Sequence, residues 1–77
     1  GRLHPAMLHV PAGKRIKIEI ANLSAEPIEF ESLELRKEKV LAPGASSFLV
    51  IAPLRPGSYP FFDDFHPDTG RGALIAE

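Results

Sequence analysis

The sequence predicts an all-β domain, and three features predict it. Eight prolines and six glycines interrupt the 77 residues at short intervals. No helical periodicity runs long enough for a helix, while several short alternating runs survive between turn residues, the pattern of a β-sandwich or barrel. Residues 14–22 alternate strictly, with Ile16, Ile18 and Ile20 on one face and Arg15, Lys17 and Glu19 on the other, as a strand with one buried face requires.

The remaining elements follow in order. Leu8 and Val10 mark a first strand, closed by Pro11-Ala12-Gly13. After the strand at 14–22, Asn22 to Pro27 reads as a turn. Ile28 to Ser32 is a short strand with Ile28 and Phe30 on one face and Glu29 and Glu31 on the other. Leu33 to Lys39 reads as extended or irregular, and Ala42-Pro43-Gly44 is a turn. Residues 46–52 carry little polarity, so they are expected to form a central strand covered on both faces. Pro53 to Gly57 turns again, and residues 58–62 and 72–76 are the last strands.

Composition bounds the class. At 77 residues the chain is one domain spanning 1–77, and a chain of this size buries only about 60% of its unfolded surface. It is 44% hydrophobic and 25% charged, ordinary for a globular domain. A net charge of −1 supplies no field for nucleic acid, and no nucleic-acid partner is expected. There is no cysteine, which excludes disulfides, thiolate catalysis and thiolate copper sites. No apolar run approaches 18 residues. The chain starts at Gly1-Arg2 already inside ordered structure, so a leader and one further strand are expected upstream; an edge left by that strand's absence would invite a second copy.

The chemistry gathers between the last two strands. Residues 61–68, Phe-Phe-Asp-Asp-Phe-His-Pro-Asp, place Asp63, Asp64, His66 and Asp68 within six positions. Two readings of this loop stand side by side. Carboxylate with imidazole suits iron(II), manganese, zinc or copper(II); alternatively the aspartates cap the turn through backbone N–H groups and His66 is held by a hydrogen bond. Met7 offers a thioether. His9, between Leu8 and Val10, reads as surface. Tyr59 and Phe61 are expected in the core, with Phe62 and Phe65 shielding the loop or forming a docking patch. No nucleophile–base pair or phosphate-binding loop supports hydrolysis.

Three stretches together resemble the cupredoxin family: Val10-Pro11-Ala12-Gly13-Lys14 leading through the isoleucine strand to Asn22; Ala42-Pro43-Gly44, an apolar strand, then Pro56-Gly57-Ser58-Tyr59; and Tyr59 through Ala73. The resemblance implies a Greek-key β-sandwich of the cupredoxin type, lacking the family's first strand. Cupredoxins carry a Cys, a His and a Met in the last loop; the matching positions here are Asp63, His66 and Arg71, and Ile28 stands where many members have a further His. A blue-copper site needs a thiolate and two imidazoles, so type 1 copper is not expected.

The chain is similar, in Glu29-Phe30-Glu31, the Glu-rich segment up to Ala42-Pro43-Gly44 and the Tyr59 strand, to periplasmic cupredoxin domains that accompany bacterial high-affinity ferrous-iron permeases. That resemblance implies a periplasmic location, a permease or other uptake component as partner, and metal-binding positions at Glu29 and Asp63. With His66 these form the expected metal set; Asp64, Glu31, His4 and Met7 are weaker candidates, with His4 one residue away from an N-terminal ligand of some members. Arg71 is expected to pair with Asp63, Asp64 or Asp68. The expected function is binding of iron(II) or copper(II) in uptake, with metal-ion oxidation left open; the alternative is a metal-free interaction module.

Overall fold

The computed structural model describes residues 5–77, so His4 lies outside the described residues. Among the described residues there are seven strands: β1 (Met7–Val10), β2 (Ile16–Ala21), β3 (Ile28–Ser32), β4 (Lys37–Leu41), β5 (Ser46–Ile51), β6 (Gly57–Asp63) and β7 (Arg71–Ala76). Five form one sheet in the order β1-β7-β6-β3-β4, and β2 pairs with β5 in a second. All pairings are antiparallel except β1 with β7. The architecture is the all-β sandwich that the sequence predicts.

The core forms where the inner faces meet. Phe30, Leu49, Ile51, Phe61 and Leu74 are buried together, with Ile16, Ile18, Ile20 and Tyr59 packed against them. The rings of Phe30 and Phe61 lie 5.2 Å apart at a tilt of 36°, the offset arrangement that aromatic quadrupoles favour. Gly72 lies opposite Phe61, where a Cβ would come within 2.5 Å of the Phe61 ring and of the Ala6 carbonyl oxygen. Only glycine lets β1, β6 and β7 close at this point.

One expectation is made more specific and one is corrected. Residues 33–39 divide: 33–36 form a four-residue turn and strand begins at Lys37. Arg36 adopts a left-handed φ of 56°, and its N–H donates to the Leu33 carbonyl at 3.2 Å, so a tight hairpin aligns β3 with β4. Residues 46–51 are not covered on both faces. β5 belongs to a two-stranded sheet, which leaves Phe48 51% exposed. Lys17 Nζ sits 4.7 Å above that ring, a cation–π contact that shields apolar surface with a long side chain. Beside β2 the sandwich opens into a groove of about 380 Å³ between Ile18, Ile20, Leu23, Phe30 and Phe61.

Asn22 fixes the end of the molecule where β2 passes to β3. It is 2% exposed. Its Nδ2 donates to the carbonyls of Glu26 at 2.7 Å and of Leu41 and Ala42 at 3.1 Å. Its Oδ1 accepts from Ser24 N–H at 3.0 Å and Ser24 Oγ at 2.6 Å. One amide thus closes its own turn and ties it to the end of β4. Replacing it by Ala strands several buried polar groups, each of which costs about 1–3 kcal/mol when left unpaired. Asn22→Ala is expected to lower the unfolding free energy by about 2–3 kcal/mol, measured by urea denaturation.

Candidate metal centre

The period of two along the strands decides which side chains can meet. On β6, Tyr59 and Phe61 face the core, so Asp63 faces it too. On β3, Ile28, Phe30 and Ser32 face inward, so Glu29 and Glu31 face outward. The register pairs Phe30 with Asp63. Glu29 therefore lies one position out of phase with Asp63, and their side chains point to opposite faces of one sheet.

Asp63 is 1% exposed and fully supplied with donors. Its Oδ1 accepts from Glu29 N–H at 2.9 Å and Phe65 N–H at 3.0 Å. Its Oδ2 is 2.8 Å from His66 Nδ1. Burial pushes the carboxyl up, but the Glu29 amide, the His66 ring and the Phe65 amide outweigh it, and the net result lies below the ordinary 3.8. Since an ionised carboxylate only accepts, His66 Nδ1 carries the proton of this bond. The loop closes around the pair. Asp63 N–H donates to Gly70 O at 2.7 Å, His66 N–H to Asp63 O at 2.9 Å, and Gly70 N–H to His66 O at 2.8 Å.

The outward side chains form a second group. Glu29, Glu31 and Asp64 each offer a carboxylate oxygen, all within 4.8 Å of one another. Desolvation, then the hydrogen bond and charge of Asp64, then Glu31 and Glu38, raise the Glu29 carboxyl above 4.5. Glu38 stands directly across the ladder from Glu31, a like-charge pair that opposes pairing. Among the described residues, no Lys or Arg lies within 4.0 Å of these carboxylates.

The structure thus divides the expected set. Asp63 and His66 meet each other inside, while Glu29 meets Glu31 and Asp64 outside. Met7 is exposed at the start of β1. Arg71 does not reach the aspartates; its Nε donates to the Pro67 carbonyl at 2.5 Å, bracing the loop from below. His9 is exposed and its Nδ1 lies 2.7 Å from Glu77 Oε1. Phe61 is buried and Phe65 48% exposed. One residue that sequence reasoning missed is Glu26, whose Oε2 lies 3.7 Å from His66 Nε2. Nothing local in the sequence signals this approach, which depends on the fold bringing the β2–β3 connection against the β6–β7 loop.

Because Asp63 titrates lower in the folded chain, its stabilisation is complete above pH 3.8. That stabilisation is lost as the pH falls through the lower folded value. Asp63→Asn is expected to lose about 2 kcal/mol at neutral pH and to flatten the acid limb of the stability curve, followed by urea unfolding from neutral pH to about pH 2.

Comparison with known proteins agrees with this architecture. The chain is 41% identical over 71 residues to the uncharacterized protein RP394 of Rickettsia prowazekii, covering 92% of this chain and 57% of the relative. The chain therefore spans little more than half the length of that relative. Reduced auracyanin from Roseiflexus castenholzii superposes with a TM-score of 0.75 at 15% identity, covering 96% of this chain and 86% of the other. An oxidized amicyanin mutant gives 0.76 at 18%, covering 99% and 73%. A purple cupredoxin from Nitrosopumilus maritimus gives 0.67 at 19%, covering 95% and 79%. These three share the fold. The Cupredoxin-like domain family matches residues 1–76, and the chain belongs to that family.

Proposed function

We propose that this domain binds a divalent cation on the outer face of its five-stranded sheet, through Glu29, Glu31 and Asp64, and hands it on during metal uptake. The observation that carries the reading is three carboxylate oxygens within 4.8 Å of one another with no lysine or arginine in salt-bridge range among the described residues. Desolvation first, then the hydrogen bond and charge of Asp64 and the charges of Glu31 and Glu38, raise Glu29, and a cation relieves the repulsion among them and competes with the proton. Oxygen donors suit hard and intermediate ions. Iron(II) is the ion of choice here and copper(II) the alternative, with an iron permease or another periplasmic uptake component as recipient. The chain has no cysteine, so blue-copper electron transfer is excluded.

A metal-free docking module is the second reading. It is favoured by Phe65, 48% exposed directly beside the loop, and by an Asp63 whose oxygens are all used internally.

Calorimetric titration under argon with iron(II), and separately with manganese, zinc and copper(II), tests the first reading. Micromolar binding is expected, weakened roughly tenfold or more by Glu29→Gln with Glu31→Gln. It should also weaken as the pH falls into the carboxylate range, because Glu29 takes up its proton there. Absence of binding by every ion in a folded sample would leave the docking module.

A further inference from the structure

Independently of the outer carboxylates, we infer that the free edge of β2 takes one extended strand donated by a partner polypeptide, which pairs with β2 and lays its apolar side chains in the groove beside it. Among the described residues β2 pairs with β5 alone, and a two-stranded sheet is marginal by itself. The backbone is turned for a second partner. Asn22 directs both its N–H, to Ala45 O, and its carbonyl, to Gly44 N–H, toward the β5 side, each at 2.8 Å. Alternation along an antiparallel strand then turns the N–H and C=O groups of Lys17, Glu19 and Ala21 to the free edge. The other open edges are guarded. β1 has four residues between Pro5 and Pro11, and β4 points Lys37 and Lys39 to the same side as buried Leu41. Short length, proline and inward charge are the devices that discourage edge pairing. β2 runs for six residues, Ile16–Ala21, with none of them.

The shape of this edge decides what fits. Leu8 of β1 and Ile18 and Ile20 of β2 line the same groove of about 380 Å³, with Phe30 and Phe61 as its floor. The larger sheet, five strands wide against two, therefore runs out beyond β2 on this side. A second whole domain joined edge to edge here would set its own larger sheet in the layer that β1 and β7 already occupy. A single extended segment meets no such obstacle. Strand addition of this kind takes its affinity from main-chain hydrogen bonds and its specificity from alternate side chains. On the inner face Ile16, Ile18 and Ile20 ask for apolar neighbours. On the outer face Lys17 and Glu19 are exposed, and opposite charges attract across a ladder while like charges repel. The fitting segment thus alternates in polarity, with an acid across from Lys17 and a base across from Glu19.

A blocked peptide of residues 14–22, Lys-Arg-Ile-Lys-Ile-Glu-Ile-Ala-Asn, is a suitable probe. Laid antiparallel about Ile18, it sets its own glutamate across from Lys17 and its lysine across from Glu19. Titrated into the 77-residue chain, it is expected to bind in the micromolar range by calorimetry. Amide hydrogen exchange is expected to slow at Lys17, Glu19 and Ala21 and to stay unchanged at Ile18 and Ile20. A peptide with that lysine and glutamate swapped is expected to bind about tenfold more weakly, and to regain affinity for the chain carrying Lys17→Glu with Glu19→Lys. Absence of binding would overturn the inference. Equal affinity for both peptides would reduce the groove to unspecific apolar adhesion and overturn it too. Protection of the same three amides in the chain alone would overturn the assignment to a partner: the edge would be covered by the chain itself if sedimentation shows a monomer, and by a second copy if it shows a dimer.

Discussion

An ionised carboxylate inside a small sandwich has to be met by donors on every side, and Asp63 organises its end of the molecule by meeting that demand. Burial of an isolated carboxylate costs several kcal/mol; here two amides and an imidazole offset it. The donors come from β3 and from the loop after β6, so the charge binds together segments that share little backbone pairing. β3 and β6 are in register over only Phe30–Asp63 and Glu31–Phe62. The next ladder position is completed partly by a side chain: Asp64 N–H donates to Glu29 O at 2.8 Å, while Glu29 N–H turns to Asp63 Oδ1. Removing the carboxylate therefore affects sheet pairing, loop closure and the orientation of His66 together.

Much of the fold was legible because a period of two is a strong local signal. Ile16, Ile18 and Ile20 gave β2, and the phase of Ile28 and Phe30 gave β3 with its carboxylates outward. The same phase, read across strands, separates Glu29 from Asp63, but that comparison needs the register between β3 and β6, which is a tertiary fact. The expected three-residue metal set rested on resemblance and did not include this parity. The apolar run at 46–52 predicts a doubly covered strand because apolar residues on an exposed face look like core when the number of strands in the sheet is unknown. Glu26 was invisible for a related reason. Its approach to His66 depends on Asn22 folding the β2–β3 connection against the same end as the β6–β7 loop, and no local pattern encodes that meeting.

At the positions where the family carries a cysteine, a histidine and a methionine, this chain has Asp63, His66 and Arg71, and each of the three is now held by the protein itself. Asp63 takes amides and an imidazole, His66 takes Asp63, and Arg71 takes the carbonyl of Pro67. A loop held in this way keeps its geometry without any ion, whereas a loop that owes its shape to a metal couples folding to binding. In the proposed reading, ion binding falls to the outward side chains of Glu29, Glu31 and Asp64, whose loss leaves the internal hydrogen bonds intact. A site of surface carboxylates without sulfur would suit capture and release better than permanent retention. An aspartate at the family's cysteine position thus does more than exclude a thiolate copper site: it makes Asp63 and His66 part of the scaffold, and the proposed ion binding falls to the outer face of the sheet.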